Sequence, residues 1–340
     1  MLSRRVFGLA GALLASACDV SIAVRRVRSE EHSVIGDRAP RESAAETLGR
    51  CLLLRSDGVA EGAVLRGRDA NARMLAAIQA FPEITGLSII ESDLDAAALK
   101  STLQRLSKLA SLKLISCPRV GDDIVPEIAA LPDLRDLNCD GSGVTDRGVL
   151  GLVCSPSLSS LKLSRTAITD RGVAALAKLP ALAVLEVCNT AVSDEGLRSL
   201  RSHDRLTVVW ASDTGISDAG MAHLATCPRL AEVLVRGVQL SDVGMERLCD
   251  AKSLETVYAS GVFSRRTLTA LGTLPELRIL LLEGELRIGD DDVGMIGRMR
   301  SLTRVQLLGS QISPAGVSRL SESLPQAFVE ISPVRGRPAR

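Results

Sequence analysis

Histidine, cysteine and aspartate are the residues of this 340-residue chain that could hold a metal, form a covalent bond or move a proton, and their spacing decides what they can do. The three histidines, His32, His203 and His223, fall in different segments and at different helical registers, so they do not converge on one ion. No H-E-x-x-H, no phosphate-binding glycine loop and no G-x-S-x-G is present. Aspartates recur as D-x-G at Asp146, Asp170, Asp194, Asp218 and Asp242, each directly after Thr or Ser. Lined up along one edge they would make an acidic ridge for calcium. A carboxylate at a helix start is better used against the positive end of its own helix, and that role is expected here. The sequence therefore predicts no catalytic residue, no metal and no cofactor.

Cysteine gives the same answer. Cys51, Cys117, Cys139, Cys154, Cys188, Cys227 and Cys249 contain no C-x-x-C pair. Most lie too far apart for the roughly 7 Å that a disulfide bridges; Cys227 with Cys249 is the one pair worth checking. They read as small core hydrophobes. Cys18 stands apart. Ser3-Arg4-Arg5-Val6-Phe7 resembles a twin-arginine export motif, and Val6 to Ala17 is an apolar stretch of signal-peptide length, too short to span a bilayer. Leu14-Ala15-Ser16-Ala17-Cys18 resembles a bacterial lipobox, with Cys18 as the lipid-attachment residue; Ala-Ser-Ala fits an ordinary signal-peptidase site equally. The expected location is the periplasm or the cell envelope through an N-terminal lipid, with the cytoplasm as the alternative.

The elements that carry these residues follow from a leucine pattern. L-x-x-L-x-L starts at Ile84, Leu109, Leu134, Leu158, Leu182, Leu206, Leu230, Leu254, Leu277 and Leu302, at intervals of 23 to 25 residues. In the unit at Leu158, Leu161 and Leu163 alternate as a short strand. Ile168 packs under a turn, Thr169-Asp170 starts a helix, and Val173, Leu176 and Leu179 form its apolar stripe until Pro180 ends it. One such unit cannot bury its own face, whereas stacked units can. Val238, Val262 and Glu285 break the pattern, replacing the Thr, Ser or Cys that most units keep after the strand.

The wording L-x-x-L-x-L-x-x-T-x-I-T-D-x-G-L-x-x-L resembles the leucine-rich repeat superfamily. Within it, the unit is most similar to the cysteine-containing subtype of F-box leucine-rich repeat proteins and related bacterial repeat proteins. The resemblance covers Ile84 to Leu324 and implies an α/β, right-handed β-α solenoid: a horseshoe with a parallel concave sheet and convex helices. No segment reads as an F-box, so a ubiquitination adaptor role is not implied. The organisation expected is a signal peptide (1–18), a tether (19–45), an N-terminal cap with an irregular repeat (46–83), about ten repeats with a closing strand (84–331) and a disordered tail (332–340).

Strand alternation sends the third, fifth and seventh positions of each unit to the concave face. The fifth-position column reads Ser88, Lys113, Asn138, Lys162, Glu186, Trp210, Leu234, Tyr258, Leu281, Gln306, and it holds the only Trp and the only Tyr of the chain. Val184, Val208, Thr256 and Ile279 stand beside them. An exposed apolar patch with aromatic anchors marks an interaction site. Val184, Val208, Trp210, Leu234, Tyr258, Ile279 and Leu281 are therefore the expected partner-binding residues, with Asp136, Asn138, Asp140, Lys162, Arg165, Glu186, Asp213, Glu232, Arg236 and Glu283 as a polar fringe. Strand propensity alone is the competing explanation. Net charge is +1, with 41 basic against 40 acidic residues and 2% aromatics, which argues against nucleic acid. The sequence thus predicts a non-catalytic module that recognises a protein or peptide. It touches membrane only through a lipid anchor, and a structural, self-assembling envelope spacer is the alternative.

Overall fold

Each unit folds as a strand, a turn and a short helix, and the strands join in chain order into one sheet of thirteen. The computed structural model describes residues 38–333. The expected signal peptide, Cys18, most of the tether and residues 334–340 lie outside the described residues. The strands are β1 (Leu52–Leu54), β2 (Ala60–Arg66), β3 (Gly86–Ile90), β4 (Ser111–Ile115), β5 (Asp136–Asn138), β6 (Ser160–Lys162), β7 (Val184–Glu186), β8 (Val208–Trp210), β9 (Glu232–Ser241), β10 (Thr256–Ser264), β11 (Ile279–Arg287), β12 (Arg304–Ser310) and β13 (Phe328–Pro333). The helices are α1 (Arg38–Leu48), α2 (Ala72–Ile78), α3 (Ala96–Leu103), α4 (Val125–Ala129), α5 (Asp146–Leu152), α6 (Asp170–Leu176), α7 (Asp194–Ser199), α8 (Asp218–Leu224), α9 (Asp242–Leu248), α10 (Arg265–Leu271), α11 (Val293–Ile296) and α12 (Pro314–Ser323). From β2 onward all pairings are parallel and regular across the leucine rows, as in Leu161↔Leu185 and Leu185↔Val209. This is the horseshoe of the α/β class that the leucine pattern predicts.

Helices of about seven residues are too short to stand alone in water. Their stability comes from stacking, and the core shows it: Leu161, Leu163, Ile168, Val173, Leu176 and Leu179 are all fully buried. The capping hydroxyl does its predicted work, since Thr169 accepts the Arg171 N–H at 3.2 Å and Ser193 that of Glu195 at 3.3 Å.

The aspartates sit in the first turn of their own helices, as expected, but their hydrogen bonds go to the next repeat. Asp146 accepts the Thr169 N–H at 2.8 Å and the Thr169 hydroxyl at 2.6 Å, both in the following repeat. The same two-bond rung joins Asp122 to Thr145, Asp170 to Ser193, Asp194 to Ser217, Asp218 to Ser241, Asp242 to Ser264 and Asp290 to Ser313. Ser or Thr caps α5 to α10 and α12 from within, and parallel stacking at about 4.8 Å brings the next cap into reach. The carboxylate is thus a staple between repeats.

The glycine of D-x-G is explained by the same rung. A Cβ at Gly196 would lie 2.6 Å from Asp170 Oδ1, and one at Gly220 would lie 2.5 Å from Asp194 Oδ1. Where α10 carries Thr267 instead, its hydroxyl donates to Asp242 at 2.6 Å. One rung is inverted. Arg265 stands where the aspartate belongs, Gly289 replaces the next hydroxyl and Asp292 replaces the glycine. Asp292 then accepts the Gly289 N–H at 2.9 Å and the Arg265 Nε–H at 2.6 Å.

The units whose hydroxyl is missing also differ in form. Thr166, Thr190 and Thr214 donate to Leu163, Val187 and Ala211 carbonyls at 2.5, 2.6 and 2.7 Å, folding the chain into a turn after a three-residue strand. Val238, Val262 and Glu285 lack that donor, and there the strands run on: β9 spans ten residues, β10 and β11 nine.

The two ends of the sheet are built differently. At the start, β1 pairs antiparallel with β2, and α1 begins at Arg38 inside the segment expected to be a tether, burying Ala44 and Leu48 against the core. At the other end β13 adds in register to β12, with Val305↔Val329 and Leu307↔Ile331. Val329 and Ile331 are only half-buried, where Val305 and Leu307 are fully buried. All seven cysteines among the described residues are free, Cys227 and Cys249 included. Five are buried as expected; Cys188 is half-buried and Cys154, read from the sequence as core, is exposed. Cys154 lies just past the end of α5, outside the buried stripe that ends at Leu152.

Candidate recognition surface

The concave rows are in strict register. One reads Lys162, Glu186, Trp210, Leu234, Tyr258, Leu281, Gln306, and the row beside it Val184, Val208, Glu232, Thr256, Ile279, Arg304, Phe328. All seven sequence-predicted binding residues therefore share one face. Their exposure differs from the expectation of an open patch. Trp210 is 7% exposed and Leu234 8% exposed, while Val184, Val208, Tyr258, Ile279 and Leu281 are half-buried.

Charged side chains explain the covering. The Lys162 ammonium lies 4.7 Å from the Trp210 ring centroid and pairs with Glu186 at 3.0 Å. Trp210 Nε1–H donates to Glu232 at 2.7 Å, so the indole is roofed by a cation and tethered by a carboxylate. Period-two alternation places a side chain on this face but says nothing about long neighbours folding over it. The site centred on Trp210 is thus a closed polar-aromatic cluster. Tyr258 is treated similarly: the Arg236 guanidinium lies 5.1 Å from its ring and pairs with Glu283 at 3.0 Å.

The electrostatics follow from this crowding. Burial, offset in part by the Trp210 hydrogen bond and by Lys162, holds the Glu232 carboxyl above its usual range. Burial and then the Glu186 charge do the same to Asp140. Burial and the Glu283 carboxylate raise the Tyr258 phenol. Asp136 is tied to neighbouring hydroxyls, accepting from Ser160 at 2.8 Å and from Ser111 at 3.0 Å. Asn138 is buried and accepts the Asp140 N–H at 2.8 Å, whereas Arg165 and Asp213 project as exposed residues of the turns after the strands.

The open apolar sector lies further along. Tyr258, Ile279 and Leu281 continue into half-buried Leu308 and into Phe328, which is 60% exposed. Phe328 and Arg304 were not among the sequence-predicted residues. The available signal was the Val329-x-Ile331 alternation, which puts Phe328 in the third-position column of an added strand. His203 is engaged with the Leu179 carbonyl at 3.2 Å, away from this face. No group of three or more metal-ligating side chains occurs among the described residues.

Comparison with known proteins agrees with this architecture. A family model described as Leucine Rich repeat matches residues 154–177, the span that follows α5 and contains β6 and α6. An internalin from Listeria monocytogenes has a similar structure, with a TM-score of 0.57 and 22% identity over 75% of this chain and 69% of the internalin. By fold, this chain is a leucine-rich repeat protein. A second similar structure is a plant peptide hormone receptor, RGFR1, in complex with RGF2 (TM-score 0.44, 16% identity, 82% of this chain); the repeat chain spans about half of that receptor, 47%. None of the curated proteins matches the sequence. Among the described residues, no helix of the repeat protein is long and apolar enough to cross a membrane.

Proposed function

We propose that this repeat protein is a non-catalytic recognition module that binds a protein or peptide on its concave face. The observation that carries the reading is the apolar sector Tyr258, Ile279, Leu281, Leu308 and Phe328, contiguous on four adjacent strands and at least partly open to solvent. Patches of this kind on a rigid sheet are where partners dock, and aromatic anchors carry much of such binding. Val184 and Val208 border the closed Trp210 cluster and would meet a partner at its edge; Trp210 and Leu234 contribute from beneath as the floor. Export through residues 1–18, with lipid on Cys18, is part of this proposal, and it would place the face outside the cytoplasm.

The test is a crosslinking pull-down from native cells with wild-type protein beside a Tyr258→Ala/Leu281→Ser variant, matched by circular dichroism. A partner retained by wild type and lost by a folded variant supports the reading. Identical partner lists overturn it. A self-associating spacer is the second reading, favoured by the half-buried Val329 and Ile331 on β13, the last strand of the sheet among the described residues. Sedimentation over a concentration series distinguishes it, since a spacer associates whether or not the concave face is intact.

A further inference from the structure

Among the described residues, three aromatic rings on the concave face each carry a cation, and only two of those cations pair with a carboxylate. Lys162 over Trp210 pairs with Glu186, and Arg236 over Tyr258 pairs with Glu283. The Arg304 guanidinium lies 5.4 Å from the Phe328 ring centroid, and it makes no ion pair among the described residues. Its Nε is shut off from solvent with no hydrogen-bond acceptor, an arrangement that costs free energy as it stands. Glu330, the acid on the same face of β13, is exposed and makes no ion pair among the described residues. Arg304 sits between Ile279 and Phe328 across three paired strands and is close enough to Tyr258 to lower its phenol pKa in part. A charged group is thus held half-buried among apolar neighbours with its counter-charge missing.

We infer that the partner supplies it: an Asp or Glu side chain of a bound protein segment pairs with Arg304, while an adjacent apolar side chain packs on Tyr258 and Leu281. The inference rests on the concave-face reading and specifies its ligand chemistry. Guanidinium suits a carboxylate because it offers a planar fork of donors, and stacking on Phe328 pre-orients that fork. Two completed copies of the same aromatic-cation-carboxylate set on the same sheet show the arrangement this fold reaches when the acid is present.

The test uses a random-sequence phage-displayed peptide library panned on the full chain, with Arg304→Glu, Glu330→Gln and Tyr258→Ala/Leu281→Ser variants, each checked for folding by circular dichroism. The expected result is enrichment of peptides with an acidic residue next to an apolar one. Their affinity should fall at least about tenfold on Arg304→Glu, in line with loss of a charge-assisted hydrogen bond. It should recover when the peptide acid is exchanged for arginine, and Glu330→Gln should leave it intact or improve it. Peptides that bind wild type, lose binding on Tyr258→Ala/Leu281→Ser but carry no acid and ignore Arg304→Glu would overturn this inference and leave the recognition reading standing. No enrichment over the Tyr258→Ala/Leu281→Ser variant would overturn both.

Discussion

Asp170 and Gly196 lie in adjacent repeats, and the Asp170 carboxylate occupies the space that a side chain at position 196 would need. Oδ1 accepts the Gly196 N–H at 3.0 Å and the Ser193 N–H at 2.7 Å, while Oδ2 accepts the Ser193 hydroxyl at 2.7 Å. The D-x-G motif is therefore half of two different contacts: its aspartate reaches forward one repeat and its glycine receives the aspartate from one repeat back.

The sign of a glycine substitution tests that geometry. Within an exposed helix, Gly→Ala ordinarily stabilises by roughly 0.5–1 kcal/mol. Gly196→Ala is expected to destabilise instead, by about 1–3 kcal/mol, because the new Cβ meets Asp170 at 2.6 Å and Val192 at 3.0 Å. Gly294→Ala, which meets nothing within 4 Å, should show the ordinary stabilisation. Urea unfolding of both variants decides it; equal shifts would remove the packing account.

Removing a staple should cost more than removing a surface charge. Asp194→Ala leaves the Ser217 N–H without its acceptor, an expected loss of about 1–3 kcal/mol, whereas an exposed acid such as Glu195 should change stability by less than about 0.5 kcal/mol. Both are read from unfolding midpoints.

The inverted rung predicts coupling. Arg265→Asp places a second carboxylate against Asp292 and is expected to destabilise by roughly 1–3 kcal/mol. Adding Gly289→Ser and Asp292→Gly rebuilds the regular rung and should recover most of that loss. Additive costs across the triple variant would show that the three positions act independently.

Trp210 reports on the closed cluster. Trp210→Ala is expected to cost about 3–5 kcal/mol, so its loss of binding alone would not identify a contact. As the only tryptophan, it also reads the protonation of Glu232. That carboxyl is raised, by burial first, so its emission should change with a midpoint above 4.5, and Glu232→Gln should abolish the step. A raised carboxyl favours the fold most when protonated, and that contribution fades as pH rises through its folded pKa.

The rungs of Asp242 and Asp290 have the opposite dependence. Burial pushes Asp242 up, but hydrogen bonds from Ser264 and Thr267 outweigh it and leave the pKa lowered; hydrogen bonds from Ser313 lower Asp290. Stability from these groups is complete above the ordinary carboxylate pKa of 3.8 and is lost as pH falls below it through the lowered values. Thermal melts from pH 6 to pH 2 (chosen to bracket those values) should show the loss, and Asp242→Asn should flatten it.

By itself the sequence determined the repeat, its strand and helix, the hydroxyl caps and which residues face the concave side, because period-two and helical spacing are local rules that act within one unit. It also marked the change at Val238, Val262 and Glu285, where a lost hydroxyl donor lets the strand run on. Only the tertiary structure decided what acts between units. Asp170 reaches Ser193 in the next repeat, Lys162 folds over Trp210 from two strands away, and Phe328 joins the face through a strand the leucine pattern does not mark. Those contacts depend on the reach and direction of long side chains across stacked strands, which the order of residues within one unit does not encode.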